Sequence, residues 1–353
     1  MSAVDDLRRR FETLAALIEA EATARHGFGH FRLAAHVDTE SRTLDLRGSA
    51  LQPSAWRRVA SRFRARIPAG WRLRVRITPL IGSFVRPRRA VPLFAASRGP
   101  ALATGWSLGD AALSLLGTSE DGARALVRAV DGTLAWLDAE EPLNAAITPR
   151  CAPARTLDGE ALDALARRWV GTPYRLGGVD SEGIDCSALT QRMLATTTGI
   201  TLPRHSGDQL SLGRTGPQTN LAALRSGDLA FIWSPRERVG HVGLVLASEG
   251  GREHAQVLHA STSRARVVLD PLERFLSGAS QVSAVRFTEL RRWYDAQVGH
   301  SHVAWTPRCV EEVVSPSPLP EFGGWSGTTN HVPWATPVTF LASERDHFVR
   351  VTH

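Results

Sequence analysis

From residue 4 to residue 24 apolar side chains recur every three or four positions. Leu7, Phe11, Leu14 and Ile18 fall on one face, which predicts an amphipathic helix. Two short strand-like runs follow (31–37 and 43–47), then a helix over 53–66 and an alternating strand over 71–77. Together they predict a small α+β unit over residues 1–85, punctuated by Pro87-Arg88-Arg89. From Ala90 the texture changes to brief apolar runs broken by Gly and Asp. Asp131-Gly132 ahead of Thr133-Leu134-Ala135-Trp136-Leu137 is a hairpin signal, so 90–146 reads as a small antiparallel barrel.

A polar linker with Pro149 and Pro153 leads to a third unit over 157–290. It predicts a helix at 160–169, a Gly-rich loop, a second helix entered at Cys186, and strands at 229–233, 241–247 and 257–260. Residues 291–353 carry Pro, Gly and Trp with little periodicity and read as an irregular tail. The fold class expected for the chain is therefore α+β, in several units, as its 353 residues suggest.

Composition refines this picture. With 43% apolar and 22% charged residues the chain can build real cores, which excludes disorder over most of its length. No window approaches the ~20 consecutive apolar residues of a membrane span, and Met1 to Arg10 lacks the apolar stretch of a signal peptide. A cytoplasmic protein without a membrane span is the expectation. All 42 basic residues are arginine. Eleven of them lie between Ser54 and Arg89, a segment without Asp or Glu. Such a stretch can draw anionic polymers, but Arg72, Arg74 and Arg76 alternate as a solvated sheet face would, so no nucleic-acid partner is expected. Three scattered cysteines (Cys151, Cys186, Cys309) make neither a disulfide framework nor a zinc cluster. The spaced pairs His26/His30 and His300/His302 are weak metal signals, and no metal or cofactor is expected.

Cys186 is the cysteine with chemical context. Gly183-Ile184-Asp185-Cys186-Ser187 reads as a loop turning into a helix, with Asp185 as N-cap and the thiol in the first turn. The helix dipole there favours thiolate, whereas Asp185 opposes it, so the site calls for a cationic partner. His241 and His259 lie on two runs joined by Glu249-Gly250-Gly251-Arg252. Pairing those runs about position 250 sets the two rings side by side, with His259 fixing the tautomer of His241 and His254 left in the loop.

These residues carry a resemblance. Gly171-Thr172-Pro173-Tyr174-Arg175-Leu176-Gly177-Gly178, Asp185-Cys186-Ser187, Leu202-Pro203-Arg204-His205-Ser206, Leu224-Arg225-Ser226-Gly227-Asp228-Leu229, His241-Val242-Gly243 and His259-Ala260 resemble the NlpC-type cysteine peptidases of bacterial cell walls, in their usual order. The barrel pattern is similar to bacterial SH3-like domains. The resemblance implies a papain-like catalytic domain, with a helix bearing the nucleophile on an antiparallel sheet. It implies hydrolysis of the bond from the γ-carboxyl of D-glutamate to diaminopimelate in peptidoglycan peptides. Cys186 would be nucleophile, His241 general base, His259 the orienting third member, and Tyr174 an aid to the oxyanion. Asp185 and Ser187 match positions that, in members with an SH3-like domain, contact the free amine of the substrate's first residue, and Ser206 is a further substrate-binding candidate. Trp136 or Trp106 would wall the groove so that free peptides beginning with L-Ala fit, a role in wall recycling. Leu176 stands where the family often has Trp, a change expected to act on packing, and His205 where many relatives have Asp. Two other classes remain open: a papain-like acyltransferase or amidase with an apolar groove at Cys186, and a non-catalytic wall-peptide binding module.

Overall fold

The computed structural model describes residues 3–51, 70–147, 151–213, 224–233, 240–246, 255–279 and 281–296. The first unit opens with helix α1 (Ala3–His26), followed by strands β1 (Phe31–Asp38), β2 (Thr43–Ala50) and β3 (Arg72–Pro79). β1 and β2 pair antiparallel, while β3 runs parallel to β2. Parallel neighbours require a crossover connection; the helix expected over 53–66 falls in it, outside the described residues. Arg72 and Arg74 are exposed on β3, as a solvated sheet face requires.

The second sheet contains β4 (Phe84–Pro87), β5 (Val91–Phe94), β6 (Leu102–Trp106), β7 (Leu113–Thr118), β8 (Arg124–Arg128), β9 (Leu134–Asp138) and β10 (Leu143–Ala145). Their order is β10-β4-β7-β8-β9-β5-β6, antiparallel throughout. It begins earlier than the sequence suggested: residues 84–87 pair with β7 and β10 across the boundary drawn at 85–90. At the Asp131-Gly132 turn the Thr133 amide donates to Asp131 Oδ1 (3.0 Å), and Gly132 takes a φ of +87° that suits glycine.

Trp136 corrects an expectation. Its side chain is 1% exposed, packed with Leu51, Leu126 and Leu134 and flanked by Phe28 and Phe94. Trp106 is buried as well, its indole N–H donating to the Ala111 carbonyl (3.1 Å). An amphipathic ring in a close-packed core presents no face to a ligand, so neither tryptophan walls a groove.

The third unit holds α2 (Gly159–Trp169), a two-stranded ribbon of β11 (Val179–Asp180) and β12 (Gly183–Ile184), α3 (Cys186–Thr198) and α4 (Ser206–Leu210). It continues with β13 (Leu229–Trp233), β14 (His241–Leu246), β15 (Gln256–Ser261), β16 (Arg266–Pro271), α5 (Leu272–Leu276), β17 (Gln281–Val285) and α6 (Phe287–Asp295). Its antiparallel sheet runs β16-β15-β14-β13-β17. Leu189, Met193 and Leu194 of α3 are buried with Val242, Leu244 and Leu258 of the sheet in one core. Where an irregular tail is expected from 291, α6 continues through Asp295 and buries Leu290 and Tyr294, and residues 297–353 lie outside the described residues. Asp228 anchors that helix, accepting from the Phe287 amide and the Arg286 guanidinium (both 2.8 Å). No described helix is long and apolar enough to cross a membrane.

Because Trp136 fills the junction between α1 and the second sheet, Trp136→Ala should lower the unfolding free energy by about 3–5 kcal/mol. Urea denaturation followed by tryptophan fluorescence and far-UV circular dichroism checks this. A loss below ~1 kcal/mol would contradict the core assignment.

Candidate active site

The nucleophile candidate sits where a loop, a helix start and a strand meet. Asp185 caps α3 by accepting from the Ala188 amide (2.9 Å), so Cys186 occupies the first turn as the sequence predicts. The loop before it is tightly folded. Gly177 has a φ of +75°, and a Cβ there would lie 2.9 Å from Leu102 Cδ2, so only glycine lets the loop lie against β6. Leu176 beside it is largely exposed, so its side chain does not supply the packing expected of that position.

Across from the helix start, β14 brings His241, and the Val242 amide reaches the Cys186 sulfur. His241 Nε2 lies 2.8 Å from His259 Nδ1, with the ring centroids 5.0 Å apart at 77°. The two histidines are not directly opposite. Leu244 pairs with Leu258, and extending that register sets Gly243 across from His259, so His241 meets His259 diagonally. A two-residue offset preserves the face of the sheet, which is why the rings still converge. Gly243 makes the diagonal possible: a Cβ there would lie 2.3 Å from Val257 Cγ1 and 3.3 Å from His259 Cβ. The turn itself and His254 lie outside the described residues.

The chain of hydrogen bonds runs one residue further than expected. His259 Nε2 meets Asp270 Oδ2 (3.1 Å), and Asp270 Oδ1 accepts from Arg264 (3.0 Å). Asp270 is on β16, two positions from the residue opposite His259, and therefore on the same face. This carboxylate decides the protons. It can only accept, so His259 carries its proton on Nε2 and accepts at Nδ1; His241 then carries its proton on Nε2, leaving Nδ1 as a free base. Asp270 escaped the sequence reading because 266–271 was not recognised as a strand.

Burial governs the charges. It pushes the Cys186 thiol up to about 11, with Asp185 adding to the effect and the Val242 amide and Arg204 opposing it. Burial also lowers His241 to about 3, helped by His259. Desolvation thus favours the uncharged forms, thiol and neutral imidazole. For Asp270, burial opposes ionisation, but bonds from His259 and Arg264 hold the carboxyl below its usual value.

Asp185 already has a cationic partner within the fold. Arg204 donates to both its oxygens (2.9 and 2.6 Å), the Gly177 amide donates to Oδ2 (2.9 Å), and acid and guanidinium are both buried. The carboxylate that the resemblance matched to a substrate amine thus has an internal partner as well. Ser187, also buried, donates to Asp185 (3.2 Å) and accepts from Arg204 (3.0 Å). Ser206 donates to the Gly240 carbonyl (3.1 Å), fixing the entry to β14. Tyr174 is half-buried and bridges to Ile184, two residues before the cysteine. Cys151 is half-buried against the main core, and Cys309 lies outside the described residues. His30 of the first histidine pair bonds Ser49 (2.8 Å), while His300 and His302 lie outside the described residues.

A cysteine in the first turn of a helix, packed on an antiparallel sheet that presents a histidine and its orienting chain, makes a candidate thiol–imidazole site. Residues 171–286 match the NlpC/P60 family, so this segment is an NlpC/P60 domain. The chain is similar to the probable endopeptidase NlpC homolog of Haemophilus influenzae, 38% identical over 105 residues, covering 30% of this chain and 50% of that protein. It is also similar to the murein DD-endopeptidase MepS/murein LD-carboxypeptidase of Escherichia coli K12, 36% identical over 104 residues, covering 28% and 48%. The chain thus spans about half the length of these curated relatives. Among solved structures, the NlpC/p60 domain of the peptidoglycan hydrolase SagA aligns with 29% identity and a TM-score of 0.29, over 36% of this chain and 98% of that domain.

The lowered pKa of His241 has a thermodynamic consequence. Unfolded imidazole binds a proton below about pH 6.5, whereas the buried ring resists until about pH 3, so stability is complete above that window and falls as pH drops through it. One proton corresponds to about 1.4 kcal/mol per pH unit. His241→Gln should remove that contribution to the acid slope, as read from urea midpoints between pH 7 and pH 4. A slope identical to that of the wild type would contradict the buried neutral imidazole.

Proposed function

We propose that this protein is a cysteine endopeptidase that hydrolyses the bond between the γ-carboxyl of D-glutamate and diaminopimelate in peptidoglycan stem peptides. The observation that carries the reading is the hydrogen-bonded chain from Asp270 through His259 to His241, ending beside the strand amide that reaches Cys186. Such a chain fixes the tautomer a general base needs. The substrate class is supported by the NlpC/P60 match and by relatives named as an endopeptidase and a murein endopeptidase.

In this mechanism His241 Nδ1 takes the thiol proton as Sγ attacks the carbonyl carbon. The imidazolium shares its charge through His259 with Asp270. The Cys186 amide at the helix start and the Tyr174 hydroxyl stabilise the oxyanion. Collapse expels the diaminopimelate amine, which takes the proton from His241 and leaves a thioester. Water then attacks, gives a proton to His241, and releases the glutamyl carboxylate and the thiol. A neutral resting pair suits this sequence, because the proton moves only as the new bond forms.

The preference for a free N-terminal L-Ala rests on shape instead of charge. The Gly105 amide donates to the Gly177 carbonyl (2.7 Å), so β6 lies against the nucleophile loop, where a substrate enlarged by a sugar would meet it. The test incubates the protein with L-Ala-γ-D-Glu-diaminopimelate, with the same peptide on muramic acid, and with a cross-linked dimer, identifying products by mass. Release of diaminopimelate from the free peptide, with a higher kcat/KM than from the muramyl form, is expected. Cleavage confined to the cross-link would reassign the bond, and transfer to an added amine without hydrolysis would favour an acyltransferase.

Cys186→Ala should reduce hydrolysis at least ~10³-fold, while Cys151→Ala leaves it near the wild-type rate. Asp270→Asn is the sharper case: an amide can donate to His259 Nε2, reversing both tautomers and placing the proton on His241 Nδ1. A kcat loss of about 10²- to 10⁴-fold with little change in KM is expected. Undiminished turnover in Asp270→Asn would remove it from the chain.

A further inference from the structure

The nucleophile stands beside a carboxylate, and the arginine that compensates it is held from another unit of the fold. Arg204 Nε donates to the Thr104 hydroxyl of β6 (2.7 Å), while its two terminal nitrogens take both oxygens of Asp185. All three side chains are at least nine-tenths buried. Thr104 itself is fixed, its hydroxyl donating to the Gly105 carbonyl (3.2 Å) and the Gly105 amide to Gly177. The same sheet also grips the nucleophile helix: Arg192 pairs with Asp110 and donates to the Val179 carbonyl, and Gln191 donates to Asp131 (3.0 Å).

We propose that Arg204, clamped by Thr104 of the second sheet, is a positioning residue that offsets the charge of Asp185 and thereby sets the reactivity of Cys186, so that the sheet is part of the catalytic apparatus. Asp185 cannot be dispensed with locally, since it caps α3 and ties down Gly177. Left alone, its charge would oppose thiolate in the adjacent residue. A bidentate guanidinium offsets part of that field while leaving both oxygens able to accept from the backbone. The third donor of the fork, Nε, needs an acceptor in a buried place, and Thr104 supplies it. Among the described residues, the charged and titratable groups around the thiol are Asp185 and Arg204 from its own side, with Asp131 near Arg204, and the neutral His241 from β14 backed by His259 and Asp270.

This inference rests on Cys186 as the reactive thiol and not on the identity of the substrate. The experiment therefore reads the rate of alkylation, using the full-length protein, iodoacetamide, and mass spectrometry of the Cys186 peptide from pH 6 to pH 9, below the thiol midpoint, where the rate follows the thiolate fraction. Arg204→Met should slow alkylation at each of these pH values by roughly 10- to 10³-fold, a lower thiolate fraction at the same pH. Adding Asp185→Asn, which keeps an N-cap side chain but not the charge, should bring the rate back toward the wild-type value. Thr104→Val should slow alkylation about threefold or more at pH below the midpoint. Arg204→Lys, which keeps the charge but cannot fork, should fall between wild type and Arg204→Met. A wild-type rate in Arg204→Met, or a slowing that Asp185→Asn fails to reverse, overturns the electrostatic role. Wild-type kinetics in Thr104→Val overturns the part given to the sheet. Should Arg204→Met not fold, Thr104→Val and Arg204→Lys still decide the matter. Failure to cleave wall peptides would leave these rate changes intact and count only against the proposed substrate.

Discussion

The buried ion pair between Asp185 and Arg204 is the interaction on which the rest of the site depends. Burying two charges is costly, and such a pair holds only when its remaining donors and acceptors are satisfied. Here they are: backbone amides of Gly177 and Ala188 serve the acid, and Thr104 and Ser187 serve the guanidinium. The pair consequently fixes three things together, the start of the nucleophile helix, the glycine loop before it, and the edge of a sheet some eighty residues earlier. Removing one partner of a buried pair costs about 3–5 kcal/mol, because the other charge is left stranded. A site tied to that pair cannot relax independently of the fold.

On the opposite wall the logic is proton position instead of charge. A carboxylate at the far end of two histidines dictates which nitrogen of each ring bears hydrogen, and the dictated order leaves a basic nitrogen on His241. Sheet geometry alone delivers this, since diagonal neighbours on one face bring His241, His259 and Asp270 into line across three strands. Arg264 at the outer end keeps Asp270 ionised.

Local features were legible in the sequence, and non-local ones were not. The N-cap at Asp185, the thiol in the first turn and the Asp131-Gly132 hairpin are written in adjacent residues, and they stand as expected. The two histidines were recognised as partners, although their register was misjudged by two residues, an error that parity forgives. Asp270 was missed because the short run 266–271 shows its strand character only once β15 pairs with it. Arg204 stood in plain view within Leu202-Pro203-Arg204-His205-Ser206, yet nothing local tells which carboxylate a distant arginine will find. Trp136 was misread for the complementary reason: an aromatic residue on a strand looks the same whether it faces a ligand or a core, and only the packing of α1 against the sheet decides.

Among the described residues, directional hydrogen bonds and an ion pair tie the second unit to the nucleophile helix and to Arg204 beyond it. Apolar interfaces tolerate substitution and sliding, whereas Thr104, Asp110 and Asp131 each meet one particular partner. The two units therefore behave less like beads on a string than like a lock machined with its housing. Recombination that exchanged this sheet for another of the same shape would have to carry those three positions with it, and a lineage that kept the peptidase half while shuffling its companions would show their covariation with Gln191, Arg192 and Arg204.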